Sequence, residues 1–208
     1  MKKQIQALAL AIIASSVTSF GAAGIFDSFA IVRLASNTYY DIGATTANPE
    51  FQGANFGSIN SGTGNLQLGG QTKTFKNSGS DVTGARIWYR IWSGTPGGSF
   101  TSLNYAFQLN LVAPGDQQWG SDVAGSNATA FYTGNLVTGL LNGNYTLEVY
   151  TEISTNGVNA ANPIASNNGG SNFQANFTVV PEPSTWMLLA GSLTLVMVFR
   201  RSRARVSR

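Results

Sequence analysis

The feature that most constrains this chain is an alternation of apolar and polar residues with a period of two. Leu103, Tyr105, Phe107, Leu109 and Leu111 are separated by Asn104, Ala106, Gln108 and Asn110. Only an extended strand puts every second side chain on one face, so the pattern fits a strand with one buried side and not a helix. The run 144–152 repeats it, with Tyr145, Leu147 and Val149 on one face and Thr146, Glu148, Tyr150 and Glu152 on the other. In 173–179, Phe173, Ala175, Phe177 and Val179 alternate with Gln174, Asn176 and Thr178. Weaker strands are expected at 29–34, 39–42, 65–68, 71–75 and 85–92.

Between these runs stand turn signals: Gly62-Thr63-Gly64, Gly69-Gly70, Asn77-Ser78-Gly79, Thr95-Pro96-Gly97-Gly98, Pro114-Gly115-Asp116, Asn142-Gly143 and Asn168-Gly169-Gly170. Asn142-Gly143 is the strongest, because both residues tolerate positive φ. About eight short strands punctuated in this way predict an all-β domain, an antiparallel β-sandwich over residues 24–180. Gly143, Tyr145, Leu147 and Val149 resemble the Gly-x-Tyr-x-Leu-x-Val corner of immunoglobulin-like modules, which implies that kind of sandwich.

The two ends of the chain read differently from its middle. Lys2 and Lys3 precede an apolar stretch, Ile5 to Ala14, and then small residues up to Gly21-Ala22-Ala23. That order predicts a signal peptide over residues 1–23, cleaved before Gly24. At the other end, Pro181, Glu182 and Pro183 form a stiff extended segment, since each proline fixes its own φ and biases its predecessor away from helix. An uncharged run from Trp186 to Phe199 follows, and then Arg200, Arg201, Arg203, Arg205 and Arg208. A helix over 184–199 would span roughly 24 Å, short of a ~30 Å hydrocarbon core, a gap that local thinning or snorkelling arginines close. Trp186 would sit at the outer interface and the arginines would hold residues 200–208 in the cytoplasm.

The string from Val180 through Gly191, with its apolar run and Arg200-Arg201, resembles a PEP-CTERM sorting signal. The resemblance covers residues 181–208. It implies an exported bacterial protein, passed across the inner membrane, anchored there by its last helix and processed by a membrane-embedded exosortase. It further implies a final place at the cell surface or in the extracellular matrix with its exopolysaccharide. It says nothing about what the domain in between does.

Once the ends are set aside, the charge balance changes sign. The whole chain carries 12 Lys and Arg against 9 Asp and Glu. The central domain keeps only Arg33, Lys73, Lys76, Arg86 and Arg90, facing Asp27, Asp41, Glu50, Asp81, Asp116, Asp122, Glu148 and Glu152. A net charge near −3 gives no footing for nucleic acid as a partner. Cysteine and histidine are both absent. That excludes disulfides, thiolate chemistry, an imidazole base and the usual zinc ligand sets, and no cofactor is expected.

Three groups of residues carry side chains suited to chemistry. Arg86, Trp88, Arg90 and Trp92 alternate with Ile87, Tyr89 and Ile91, so one strand face carries cation, indole, cation, indole. Indoles stack on sugar rings and guanidinium groups donate hydrogen bonds, so the stripe can serve as a carbohydrate platform. The competing reading is an internal cation–π ladder that shields the sheet. Asp116, Asp122 and Asn127 beside Trp119 offer oxygen ligands for calcium, but at a spacing that matches no calcium loop, and no metal site is assigned. Glu148 and Glu152 stand at i and i+4 on one strand, about 13 Å apart, too far for either glycosidase geometry. Asn-x-Thr triplets at Asn127, Asn144 and Asn176 are too short to carry an argument alone.

The leading expectation is therefore a non-enzymatic structural or interaction protein delivered to the surface or matrix. The alternative is a carbohydrate-binding module using the Arg86–Trp92 face, with polysaccharide as its partner. A glycan-active enzyme is the third reading.

Overall fold

A computed structural model describes residues 23–76, 80–112, 115–121, 131–157, 163–182 and Gly191. The described residues form eleven strands: β1 (Ala23–Arg33), β2 (Asn37–Asp41), β3 (Asn55–Asn60), β4 (Gln67–Lys76), β5 (Val82–Trp92), β6 (Thr101–Asn104), β7 (Ala106–Asn110), β8 (Gln117–Gly120), β9 (Gly143–Thr155), β10 (Ile164–Ser166) and β11 (Phe173–Val180). One sheet runs β2-β1-β4-β8-β7 and the other β3-β11-β9-β5-β6, with β10 added beside β9. All pairings are antiparallel except β3 with β11. The all-β expectation holds, with two sheets packed face to face.

The core lies between the sheets. Ala30, Val32 and Leu68 come from the first sheet and Ile87, Leu147, Val149, Ile153, Ala175 and Phe177 from the second. Each fully buried Leu, Ile or Phe contributes about 1.5–3 kcal/mol through area removed from water. The alternation in β9 and β11 therefore reads as expected, odd-numbered residues inward. Tyr145 donates its hydroxyl to the Leu141 carbonyl at 2.8 Å, which pins the entry to β9.

The sequence expectation fails in three places. The run 103–111 is not one half-buried strand. It breaks at the buried Tyr105, where the chain passes from β6 in one sheet to β7 in the other. In β7 the register also shifts, Phe107 pairing with Trp119 and Leu109 with Gln118. Phe107, before the extra residue, and Leu109, after it, are 46% and 44% exposed on this edge strand.

Gly69-Gly70 is not a turn but the middle of the continuous strand β4. Here glycine serves close approach: Tyr132 and Ser121 occupy the side-chain space of Gly69, and the Tyr105 hydroxyl that of Gly70. Burial pushes that hydroxyl above the usual tyrosine range. Asn142-Gly143 does not join two strands either; it ends the loop 131–142 and leads into β9.

The ends are only partly described. β1 opens at Ala23, which is buried and pairs with Lys76, so the expected cleavage before Gly24 falls at the first step of a strand. Residues 1–22 lie outside the described residues. So does the expected membrane helix over 184–199, Gly191 apart, together with Pro183, Trp186, Arg200, Arg201, Arg203 and the segment 200–208. Among the described residues no helix is long and apolar enough to cross a membrane.

Candidate functional site

The outer face of the second sheet is built by register. Antiparallel pairing sets Arg86 opposite Glu152, Trp88 opposite Tyr150, Arg90 opposite Glu148 and Trp92 opposite Thr146. Across β9, Gln174 faces Glu148, Asn176 faces Thr146 and Thr178 faces Asn144. Directly opposed residues project from the same side of a sheet, so these side chains form one surface. Arg86, Trp88, Arg90 and Trp92 are all half-buried on it.

Most of that surface is occupied with itself. Arg86 donates from Nε to Glu152 Oε1 at 2.7 Å, and its second nitrogen contacts the same oxygen. The Arg86 guanidinium also lies 5.0 Å from the Trp88 ring centre. Trp88 stacks on Tyr150 at 6.1 Å between ring centres, and Phe100 meets Tyr150 edge-on at 5.1 Å. Arg90 covers Phe100 at 4.5 Å. The result is a ladder of rings and cations running obliquely across the strands.

Its strongest node is Glu148, only 2% exposed. The carboxylate accepts from Arg90 Nε at 2.9 Å, Arg90 Nη2 at 3.1 Å, Trp92 Nε1 at 3.0 Å and Asn172 Nδ2 at 2.7 Å. Burial raises its pKa. The bonds from Arg90, Asn172 and Trp92, with the charge of Arg90, outweigh that effect and hold the carboxyl below its ordinary value. Glu148 thus stands on the outer face where the alternation puts it, yet its carboxylate is covered by its neighbours. Spacing along one strand does not show what stands opposite on the next.

Beyond Trp92 the face changes character. A cleft of about 370 Å³ opens there, lined by Asn55, Trp92, Gly94, Asn144, Thr146, Asn176 and Thr178, with Tyr145 and Phe177 beneath. β5 ends at Trp92, and Gly94, at φ +75°, turns the chain away without adding a side chain. Ser93 Oγ fixes this exit by donating to the Asn144 carbonyl at 2.8 Å. On the far side, β3 brings Asn55 opposite Asn176 before its register shifts.

On the cleft floor two Asn-x-Thr triplets meet head to tail. Thr146 donates to Asn176 Oδ1 at 3.0 Å and Thr178 donates to Asn144 Oδ1 at 2.8 Å. Each amide oxygen is therefore engaged, which fixes the amide and leaves its NH₂ as the group offered to the cleft. Sequence reasoning passed over these asparagines. The signal was present in Asn144-Tyr145-Thr146 and Asn176-Phe177-Thr178, but it acquires meaning only through the pairing of β9 with β11.

Of the remaining sequence-predicted site residues, Asp116, Pro181 and Glu182 fall among the described residues. Asp116 accepts at its carbonyl from the Leu111 amide at 2.8 Å, while Asp122 and Asn127 lie outside the described residues. Among the described residues no group of three or more acidic side chains gathers as a metal cage. Pro181 and Glu182 follow β11 directly. Val180 accepts from the Ser61 amide at 2.9 Å, and the Glu182 side chain fills the space that a Gly62 side chain would need. Val180 and Glu182 therefore rest on the β3–β4 turn. Neither a protein-family model nor a curated protein sequence matches this chain.

Proposed function

We propose that this is an exported, non-catalytic interaction protein, an immunoglobulin-like sandwich delivered by a PEP-CTERM tail to the cell surface or matrix, with polysaccharide among its partners. The observation that carries the reading is the junction at Val180. The last strand runs into Pro181-Glu182 with no intervening stalk, so the sandwich and the sorting motif form one continuous unit. The Tyr145–Leu141 hydrogen bond supports the immunoglobulin-like assignment, since a tyrosine bonded to the backbone a few residues upstream marks that corner. Glu148, filled by Arg90, Trp92 and Asn172, and Glu152, paired with Arg86, both serve the ladder, which supports a binding role over hydrolysis.

The test is made in a bacterium that carries an exosortase. Wild-type protein should lose its tail, read as the mass of the mature chain. Glu182→Ala, or Arg200→Ser with Arg201→Ser, should leave full-length protein in the inner membrane. Glu182→Ala should change the stability of the sandwich by no more than about 0.5 kcal/mol, the usual scale for a surface substitution. Normal processing of both variants refutes the tail's role.

A further inference from the structure

We infer that the cleft bounded by Trp92, Asn55 and the paired Asn144/Asn176 triplets binds a neutral sugar, and that the Arg86–Arg90 part of the same face supports it without touching the ligand. The inference deepens the interaction reading above. Its chemistry follows from the lining. A sugar ring offers an apolar C–H face and a rim of hydroxyls that each donate and accept. The cleft offers a matching set. The Trp92 indole has its N–H committed to Glu148, so it contributes ring surface. Asn144 and Asn176 offer oriented NH₂ donors, because their oxygens are held by Thr178 and Thr146. The two threonine hydroxyls keep lone pairs that can accept.

Charge narrows the ligand class. Among the described residues no charged side chain lines the cleft. The nearest ionised group reached through a bond is Glu148, whose hydrogen bonds are filled by Arg90, Trp92 and Asn172. An anionic sugar would find no cation in this lining to compensate its desolvation, whereas the hydroxyls of a neutral one need only hydrogen-bond partners, which the asparagines and threonines supply. The volume, about 370 Å³, falls near the lower end of the ~300–1,000 Å³ common for small-ligand sites. This suits a short stretch of glycan and excludes a large cofactor. The geometry also explains why Trp88 differs from Trp92. Trp88 is sandwiched within the ladder by Arg86 and Tyr150, whereas Trp92 borders open space.

The experiment uses the full-length chain in a detergent without sugar headgroups, titrated calorimetrically with cellotetraose, laminaritetraose, maltotetraose and an alginate tetramer. At least one neutral tetrasaccharide should bind, and the uronate tetramer should bind at least about tenfold more weakly. Trp92→Ala should weaken binding about tenfold or more, a loss of about 1.4 kcal/mol. Because Trp92 also bonds Glu148, Asn144→Ala and Asn176→Ala carry the decision. Each should weaken binding at least about fivefold while the melting temperature stays near wild type. Lys73→Ala, on the other sheet, should bind as wild type. The inference is overturned if no neutral tetrasaccharide binds, if the uronate binds better, or if both asparagine variants bind normally. Any of these with normal tail processing rejects the cleft alone, whereas failed processing with intact sugar binding rejects only the export route.

Discussion

The two ends of the second sheet's outer face are built from similar residues and use them in opposite ways. At the Arg86–Arg90 end, each cation has a carboxylate directly across the strand pair and a ring beneath it. At the Trp92 end, the partners are amides and hydroxyls that use only part of one another's capacity, and the surface opens into a cleft. A polar, aromatic stripe on a sheet is therefore not in itself a binding surface. Where its hydrogen bonds and charges close on one another it is a brace that locks strands in register. Where donors remain oriented and unused beside a half-buried ring that borders a cleft, we propose a site.

The sharpest way to break the comparison is to remove the node of the brace. Glu148→Ala leaves the Arg90 guanidinium half-buried without its partner and strips an acceptor from Trp92 and Asn172. Breaking a buried pair from one side costs about 3–5 kcal/mol, and we expect a loss in that range, seen as a large fall in melting temperature. Because Trp92 loses its anchor, sugar binding should weaken too. A variant as stable as wild type would show that the brace holds nothing.

Acid should act on the same node in a graded way. The folded carboxyl of Glu148 sits below its ordinary value, so the ionised form is favoured by folding. Its contribution is fully present above the unfolded pKa, near 4.5, and is lost as pH falls through the lower folded value. The melting temperature should therefore drop as pH is lowered below about 4.5, and Glu148→Gln should flatten this part of the profile. An unchanged slope in the glutamine variant would place the acid sensitivity elsewhere.

A smaller effect is expected at the outer rung. Arg86 and Glu152 are 32% and 14% exposed at their side chains. Solvent screens such a pair, so Arg86→Ala should cost about 1 kcal/mol or less, part of it from lost packing on Trp88. A cost comparable to that of Glu148→Ala would erase the distinction between node and rung.

How much of this was legible in the sequence depended on whether the physics was local. The inward faces of β5, β9 and β11 follow from alternation alone, because a strand with one buried side has no other solution. The stripe of Arg86, Trp88, Arg90 and Trp92 was visible for the same reason. Its meaning was not, since the ladder needs Glu148, Tyr150 and Glu152 opposite it, and register is a property of two strands. The most regular alternation of all, 103–111, misled because Tyr105 carries the chain between sheets and an extra residue near Gln108 shifts the pairing of β7 with β8. β3, reading Asn-Phe-Gly-Ser-Ile-Asn, has little apolar content and is held by parallel pairing with β11. Gly69-Gly70 carried a turn signature, yet what it records is two tyrosines pressing on a strand.

The division of the face into brace and cleft can be read without any ligand, from hydrogen exchange of side-chain N–H groups by nitrogen-edited NMR on the full-length chain. We expect Arg90 Nε–H and Trp92 Nε1–H, both bonded to Glu148, to exchange slowly and together, at rates set by opening of the sheet. The NH₂ groups of Asn144 and Asn176 should exchange at close to the rate of free asparagine. Fast exchange at Arg90 and Trp92, or protected amides at Asn144 and Asn176, would contradict the division on which the proposed binding site rests.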